Sequence, residues 1–228
     1  MRTIFHNIGS IQTMDENDSF ITGKSIIVND NTIESIVESI EEYQSSDARF
    51  VDLKQRAVVP GFIDAHNHLL WDGDRFNEHK LRMDGNSYSD IAKMGGGIMS
   101  TVRSTRYASE SVLYINGMNR LRESLRNGAT FVEAKSGYGL STEDELRLLN
   151  IIDQYKGDTN LPSIHTTWMG AHAVTPEHTY ESYTEEILSD QLPRVLESNL
   201  AESADVFCEP GWFTVEQSAV SYTHLRAH

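Results

Sequence analysis

Val58-Val59-Pro60-Gly61-Phe62-Ile63-Asp64-Ala65-His66-Asn67-His68 is the stretch on which the reading of the fold turns. Pro60-Gly61 breaks the preceding run, and the apolar residues after it read as a short strand. The strand ends in His66-Asn67-His68. Residues i and i+2 of a strand point to one side, so both imidazoles can reach one metal ion. Neutral imidazole suits Zn²⁺ or Fe²⁺, and such an ion lowers the pKa of bound water to about 7. Two histidines at a strand end also serve as ordinary polar loop residues, so their weight comes from what surrounds them.

Downstream, apolar strands alternate with amphipathic helices. Helices are predicted over 84–94, ending in Gly95-Gly96-Gly97, and over 109–127, where Ser111 can cap the start and Gly128 stops the end. A strand at 129–135, a helix at 142–155, a strand at 163–169, a helix at 183–198 and a strand at 205–209 complete the series. Pro193 is expected to kink or split its helix. This alternation indicates parallel βαβ units. Four such strands suit half of an eight-stranded barrel or a small open sheet. A histidine pair at the C-terminal end of the first strand, the face where barrel active sites are built, favours the barrel. Upstream, 24–28 and 32–37 are rich in Ile and Val around an Asn29-Asp30-Asn31 turn, and 49–53 adds another strand. The expected fold class is therefore α/β. Residues 1–58 would form a small, incomplete antiparallel β-sandwich module, and 59–218 the first half of a (β/α)8 TIM-type barrel with about four βα units.

A chain of 228 residues buries enough surface to fold without staples. Its formal net charge of −15 argues against a nucleic-acid surface. The same charge means that an anionic substrate must be captured by locally placed cations. Cys208 is the sole cysteine, which rules out an internal disulfide and makes a reducing cytoplasm the expected location. The first residues lack the apolar run of a signal peptide, and no stretch approaches the roughly 18 apolar residues of a membrane span.

The segment Pro60 to His68 resembles the first-strand signature of the metal-dependent amidohydrolase superfamily. Further segments resemble imidazolonepropionases, in the same order. They are Gly73-Asp74-Arg75, Ser87-Tyr88, Gly95-Gly96-Gly97-Ile98, Ser100-Thr101-Val102-Arg103, Glu133-Ala134-Lys135-Ser136-Gly137-Tyr138-Gly139-Leu140, Gly170-Ala171-His172-Ala173 and Asp205-Val206-Phe207-Cys208-Glu209. The resemblance implies hydrolysis of the cyclic amide of 4-imidazolone-5-propanoate to N-formimidoyl-L-glutamate by a soluble homodimer. It implies one divalent metal, Zn or Fe, with His66 and His68 among the ligands. Arg75 would grip the propionate, Tyr138 would hydrogen-bond the substrate, His172 would meet the ring, and Tyr88 would line the pocket. Surface pairing of Arg75 with Asp72 or Asp74 is the competing role, as loop packing is for Tyr138 and a structural position for His172.

Glu133 and Lys135 lie two apart on one strand and can pair, chiefly as architecture. The fourth strand has no lysine of the kind that bridges two metals in related enzymes, which favours one metal. The glycine triplet lacks the Lys-Ser/Thr of a phosphate loop. Cys208 is expected to pack as a small hydrophobe rather than act as a nucleophile. The resemblance stops near Ser218, before the strands that would carry a third histidine, an acid-base group and an aspartate. Residues 219–228, with His224 and His228, read as a non-native tail. On this reading the chain is an inactive fragment, unstable alone. Two alternatives remain: a different cyclic amidohydrolase acting on a hydantoin- or guanine-type ring, and a non-catalytic pseudoenzyme or binding module.

Overall fold

Ile- and Val-rich runs supply the strands of the first unit, Met1–Gly61, in a computed structural model that describes residues 1–44, 47–87, 90–91 and 94–219. Its strands are β1 (Arg2–His6), β2 (Ser10–Gln12), β3 (Phe20–Ile21), β4 (Ser25–Asn29), β5 (Thr32–Val37), β6 (Arg49–Asp52) and β7 (Ala57–Val58). They make two sheets, ordered β5-β4-β1-β6 and β3-β2-β7. The β4–β5 hairpin turns at Asp30 and Asn31, with Asp30 left-handed as an Asn-Asp turn favours. The unit is not purely antiparallel: β1 pairs with β6, and β2 with β7, in parallel. Ile8, Ile11 and Ile26, joined by Phe5, Ile21, Val28, Leu53 and Val58, form its apolar cluster.

From Phe62 onward, β8 (Phe62–His68), β9 (Ala129–Lys135), β10 (Ser163–Ala171) and β11 (Ser203–Val206) form one parallel sheet ordered β11-β10-β9-β8. Between strands run α1 (Phe76–Met83), α2 (Ile98–Tyr107), α3 (Glu110–Arg126), α4 (Thr142–Asp153), α5 (Tyr180–Glu186) and α6 (Leu192–Ser198). Leu69, Leu113, Leu121, Val132, Leu148 and Ile152 fill the space between β8, β9 and helices α3 and α4. Each buried Leu or Ile is worth about 2 kcal/mol in transfer free energy. Trp168, Tyr183, Ile187, Leu192 and Val195 do the same over β10. Among the described residues no helix is long and apolar enough to cross a membrane.

Some local details differ from expectation. An additional helix, α1, runs from Phe76, whose N–H is taken by the Asp74 side chain, to Met83. Of the helix expected over 84–94, Asp90 and Ile91 are helical, with the Ile91 and Met94 N–H groups given to the Ser87 and Asp90 carbonyls, and residues 88–89 and 92–93 lie outside the described residues. The helix α2 was not foreseen; it opens at Gly97, whose N–H is held at 2.7 Å by buried Glu78. Ser109, not Ser111, caps α3 by accepting from the Val112 N–H. The helix expected over 183–198 is interrupted just before Pro193: a π-helical turn, Ile187–Gln191, separates α5 from α6, and the proline lies in the first turn of α6, where a missing N–H costs least.

Candidate active site

The pairing of β8 with β9 shifts between Asp64 and Asn67, so Ala65 and His66 together oppose Glu133. Such a bulge re-aims the side chain beside it. Asp64 and Asn67 bond to each other at 2.8 Å and line a cleft with Arg120 and Glu123 of α3. His68, registered with Lys135, borders the same cleft. The rings of His66 and His68 stand 5.6 Å apart, centre to centre. Arg120 holds the chain beyond His68 by bonding the Leu69 and Trp71 carbonyls, with its guanidinium 3.8 Å over the Trp71 ring.

The loop after β9 brings the other sequence-predicted residues to the same place. His172, just past β10, stacks on His68 at 4.3 Å with the planes 10° apart. Tyr138 stands edge-on to both rings, at 5.1 Å from His68 and 5.4 Å from His172. Gly137 is required for this approach: its φ is +107°, and a Cβ there would lie 3.0 Å from His172 Nδ1 and from the Met169 carbonyl. Arg106 steadies the far side of the loop through the Gly139 and Leu140 carbonyls, at 2.7 and 2.8 Å.

His68 Nδ1 lies 2.6 Å from the Ser136 carbonyl, and His172 Nδ1 lies 2.7 Å from the Gly137 carbonyl. A carbonyl only accepts, so in the neutral rings the proton sits on Nδ1 and the Nε2 lone pair is left free. Burial is the main reason the pKa of His68 is depressed to about 3; the nearby positive charges of His172, His66 and Lys135 add to it, against the Ser136 carbonyl. Burial likewise lowers His172, helped by the charges of His66 and Arg75 and opposed by Gly137 and Asp205. Both imidazoles are thus held neutral, the form a metal ion or a substrate N–H requires.

Beneath them lies a network only partly visible in the sequence. Lys135 Nζ bonds Glu133 at 2.7 Å, the foreseen pair, and also Asp205 at 2.9 Å. Thr167 and Ser203 extend the network along β10 and β11. Burial alone would lower the pKa of Lys135, but its two carboxylate partners raise it overall. Burial raises Asp205, yet its bonds to Lys135 and to the Val206 N–H leave it below the ordinary carboxylate range. Asp205 was missed as a participant, because its partner Lys135 lies 70 residues away in sequence and no local pattern links the two.

Arg75 is exposed at the start of α1 and lines a cleft of about 290 Å³ with Glu78, Gly95 and Ser100. Neither expected competitor claims it. Asp72 accepts from Asn116 and Asp74 from the Phe76 N–H, and no ion pair to Arg75 occurs among the described residues. Tyr88 lies outside the described residues, as do His224 and His228. Cys208 does not pack as expected: it follows β11 and is exposed, because that strand ends at Val206.

His66 and His68 fit a divalent ion as two members of a ligand set. His68 keeps Nε2 unprotonated while its Nδ1–H is anchored, the arrangement usual for metal-bound histidine. Among the described residues no group of three or more His, Cys, Asp or Glu is arranged to hold an ion.

No family model matches the chain. In sequence it is similar to the imidazolonepropionase of Clostridium tetani, 42% identical over 207 residues, which are 89% of this chain and 49% of that protein. It is 48% identical over 163 residues to that of Shewanella sediminis, covering 71% of this chain and 40% of the other. The chain thus spans about half the length of the curated relatives it matches. In fold it is similar to a Xaa-Pro dipeptidase, with a TM-score of 0.61 at 14% identity over 100% of this chain and 54% of the other. A zinc complex of an atrazine chlorohydrolase variant from Arthrobacter aurescens gives 0.60 at 12% identity, over 99% and 50%. Guanine deaminase from C. acetobutylicum gives 0.51 at 18% identity, over 99% and 51%.

Proposed function

From a chain that is a relative of the imidazolonepropionases, we propose that it carries part of the site that hydrolyses 4-imidazolone-5-propanoate to N-formimidoyl-L-glutamate. The observation that carries this reading is the meeting of two neutral imidazoles and a tyrosine, close enough to Arg75 for its charge to bear on His172. A chain of net charge −15 offers a small carboxylate few such landing points. Arg75 takes the propionate through paired, charge-assisted bonds. His172, with its proton on Nδ1, turns Nε2 as an acceptor toward a ring N–H of the substrate. The Tyr138 hydroxyl gives the bound ring a further hydrogen-bond partner. One divalent ion, Zn or Fe, held in part by His66 and His68 would supply Lewis-acid polarisation and an acidified water. Water adds at the ring carbonyl carbon, the C–N bond breaks, and the released nitrogen takes a proton. The chain's own residues contribute orientation above all.

The remaining ligands and the acid-base group belong, on this reading, to a complete protein of (β/α)8 barrel type that works as a homodimer, and the chain alone is inactive. The test is Arg75→Lys in the complete enzyme. The expected result is a KM raised by about tenfold or more with a smaller change in kcat, since a point charge replaces a bidentate grip. An unchanged KM removes Arg75 from the reading. Hydantoin and guanine serve as competing ring substrates in the same assay.

A further inference from the structure

Glu145, in the first turn of α4, is fully buried and has no cationic partner in the ion pairs among the described residues. A buried carboxylate is costly unless donors surround it. Here the loop after β9 supplies them. Oε1 accepts from the Gly139 N–H at 2.8 Å and the Leu140 N–H at 2.9 Å, and the Gly137 N–H reaches both oxygens, at 3.2 and 3.0 Å. Gly139 allows the closeness: a Cβ there would lie 2.7 Å from the Glu145 nitrogen.

The other side of the same backbone faces the site. The peptide between Ser136 and Gly137 gives its N–H to Glu145 and its carbonyl to His68 Nδ1. The carbonyl of Gly137 takes His172 Nδ1. Metal-site histidines are commonly oriented by a carboxylate on the ring N–H. In this chain the carboxylate stands one peptide away from His68. Burial raises its pKa, opposed by the backbone N–H donors of Leu140, Gly139 and Gly137, which favour the ionised form; in that form it strengthens the carbonyl that it polarises from behind.

We propose that Glu145 is a positioning residue that fixes His68 as its Nδ1–H tautomer through the peptide between Ser136 and Gly137. The inference rests on the reading of His68 as a site residue. It goes beyond that reading by assigning the ring's orientation to a side chain that does not touch it. A merely structural Glu145 would anchor the start of α4 and leave ring chemistry indifferent to its charge.

The experiment reads ring-nitrogen chemical shifts in metal-free, histidine-labelled protein, in solution or sedimented for solid-state NMR. In the wild type His68 should carry the proton on Nδ1, and an Nε2–H form of that ring overturns the proposal without any variant; His172 is followed as an internal comparison. Glu145→Gln keeps the shape but turns an NH₂ toward the Gly137 N–H. His68 should then shift its tautomer ratio by about tenfold, the loss of one charge-assisted hydrogen bond. An unshifted ratio in that variant overturns the proposal. Leu148→Ala, a cavity in the same buried helix face, controls for simple destabilisation and should leave both tautomers alone. Matching shifts in Leu148→Ala would reduce Glu145 to a structural role. Turnover is measured separately: loss of the hydrolase reading with intact tautomers, or the reverse, tells the two failures apart.

Discussion

At Lys135 one ammonium answers two carboxylates from different strands, Glu133 on its own and Asp205 on β11. The Lys135 side chain is 5% exposed, whereas Asp205 is 38% exposed, so water screens one arm and not the other. Lys135→Met leaves both carboxylates without their cation. The expected loss is about 2 kcal/mol at neutral pH, below the range for a fully buried pair because of that screening. The pH dependence has a definite sign. The folded pKa of Asp205 lies below its ordinary value, so its contribution is present above the unfolded value and fades as pH falls through the folded one. Urea midpoints of wild type and Lys135→Met should therefore differ near neutrality and converge in acid. A difference that persists unchanged into acid would place the role of Lys135 in packing instead.

At the scale of elements, α3 offers the cleanest test. Ser109→Ala should cost about 1 kcal/mol and Ser111→Ala a few tenths, because only Ser109 accepts the Val112 N–H. Equal losses would return the cap to the sequence-based choice. That choice shows what was legible. The extent of α3, the strand β9 and the apolar pattern of α4 follow from local propensity and stop signals such as Gly128. Which of two nearby serines caps depends on backbone angles that composition does not encode. The helix α2 was hidden because its sequence, Ile-Met-Ser-Thr-Val-Arg-Ser-Thr-Arg-Tyr, is β-branched and hydroxyl-rich and so weak in helix propensity. Its support is tertiary: Arg147 of α4 bonds the Thr105 and Ala108 carbonyls at its C-terminal end. In the site, His66 and His68 could be chosen from spacing, but the bulge that turns His66 lies in strand register. Asp205 and Glu145 act through partners far along the chain, which no local pattern reveals.

At the scale of the molecule, the parallel sheet has β8 and β11 as its outer strands. Ile63 and Phe131, registered partners on neighbouring strands, are 69% and 37% exposed. An open sheet edge beside an exposed apolar face promotes association. Sedimentation velocity should show this chain self-associating as concentration rises, and Ile63→Lys should weaken that association. A monodisperse monomer across the same range would contradict the expectation. The central claim, that His66, His68, Arg75, Tyr138 and His172 serve imidazolone hydrolysis, needs a complete barrel around them. It is tested most directly by joining residues 1–218 to the C-terminal part of the Clostridium tetani relative, loading Zn²⁺ or Fe²⁺, and following 4-imidazolone-5-propanoate. The expected result is formation of N-formimidoyl-L-glutamate, lost with His66→Ala. A folded, metal-loaded protein that leaves this substrate intact while opening a hydantoin or guanine ring would contradict it.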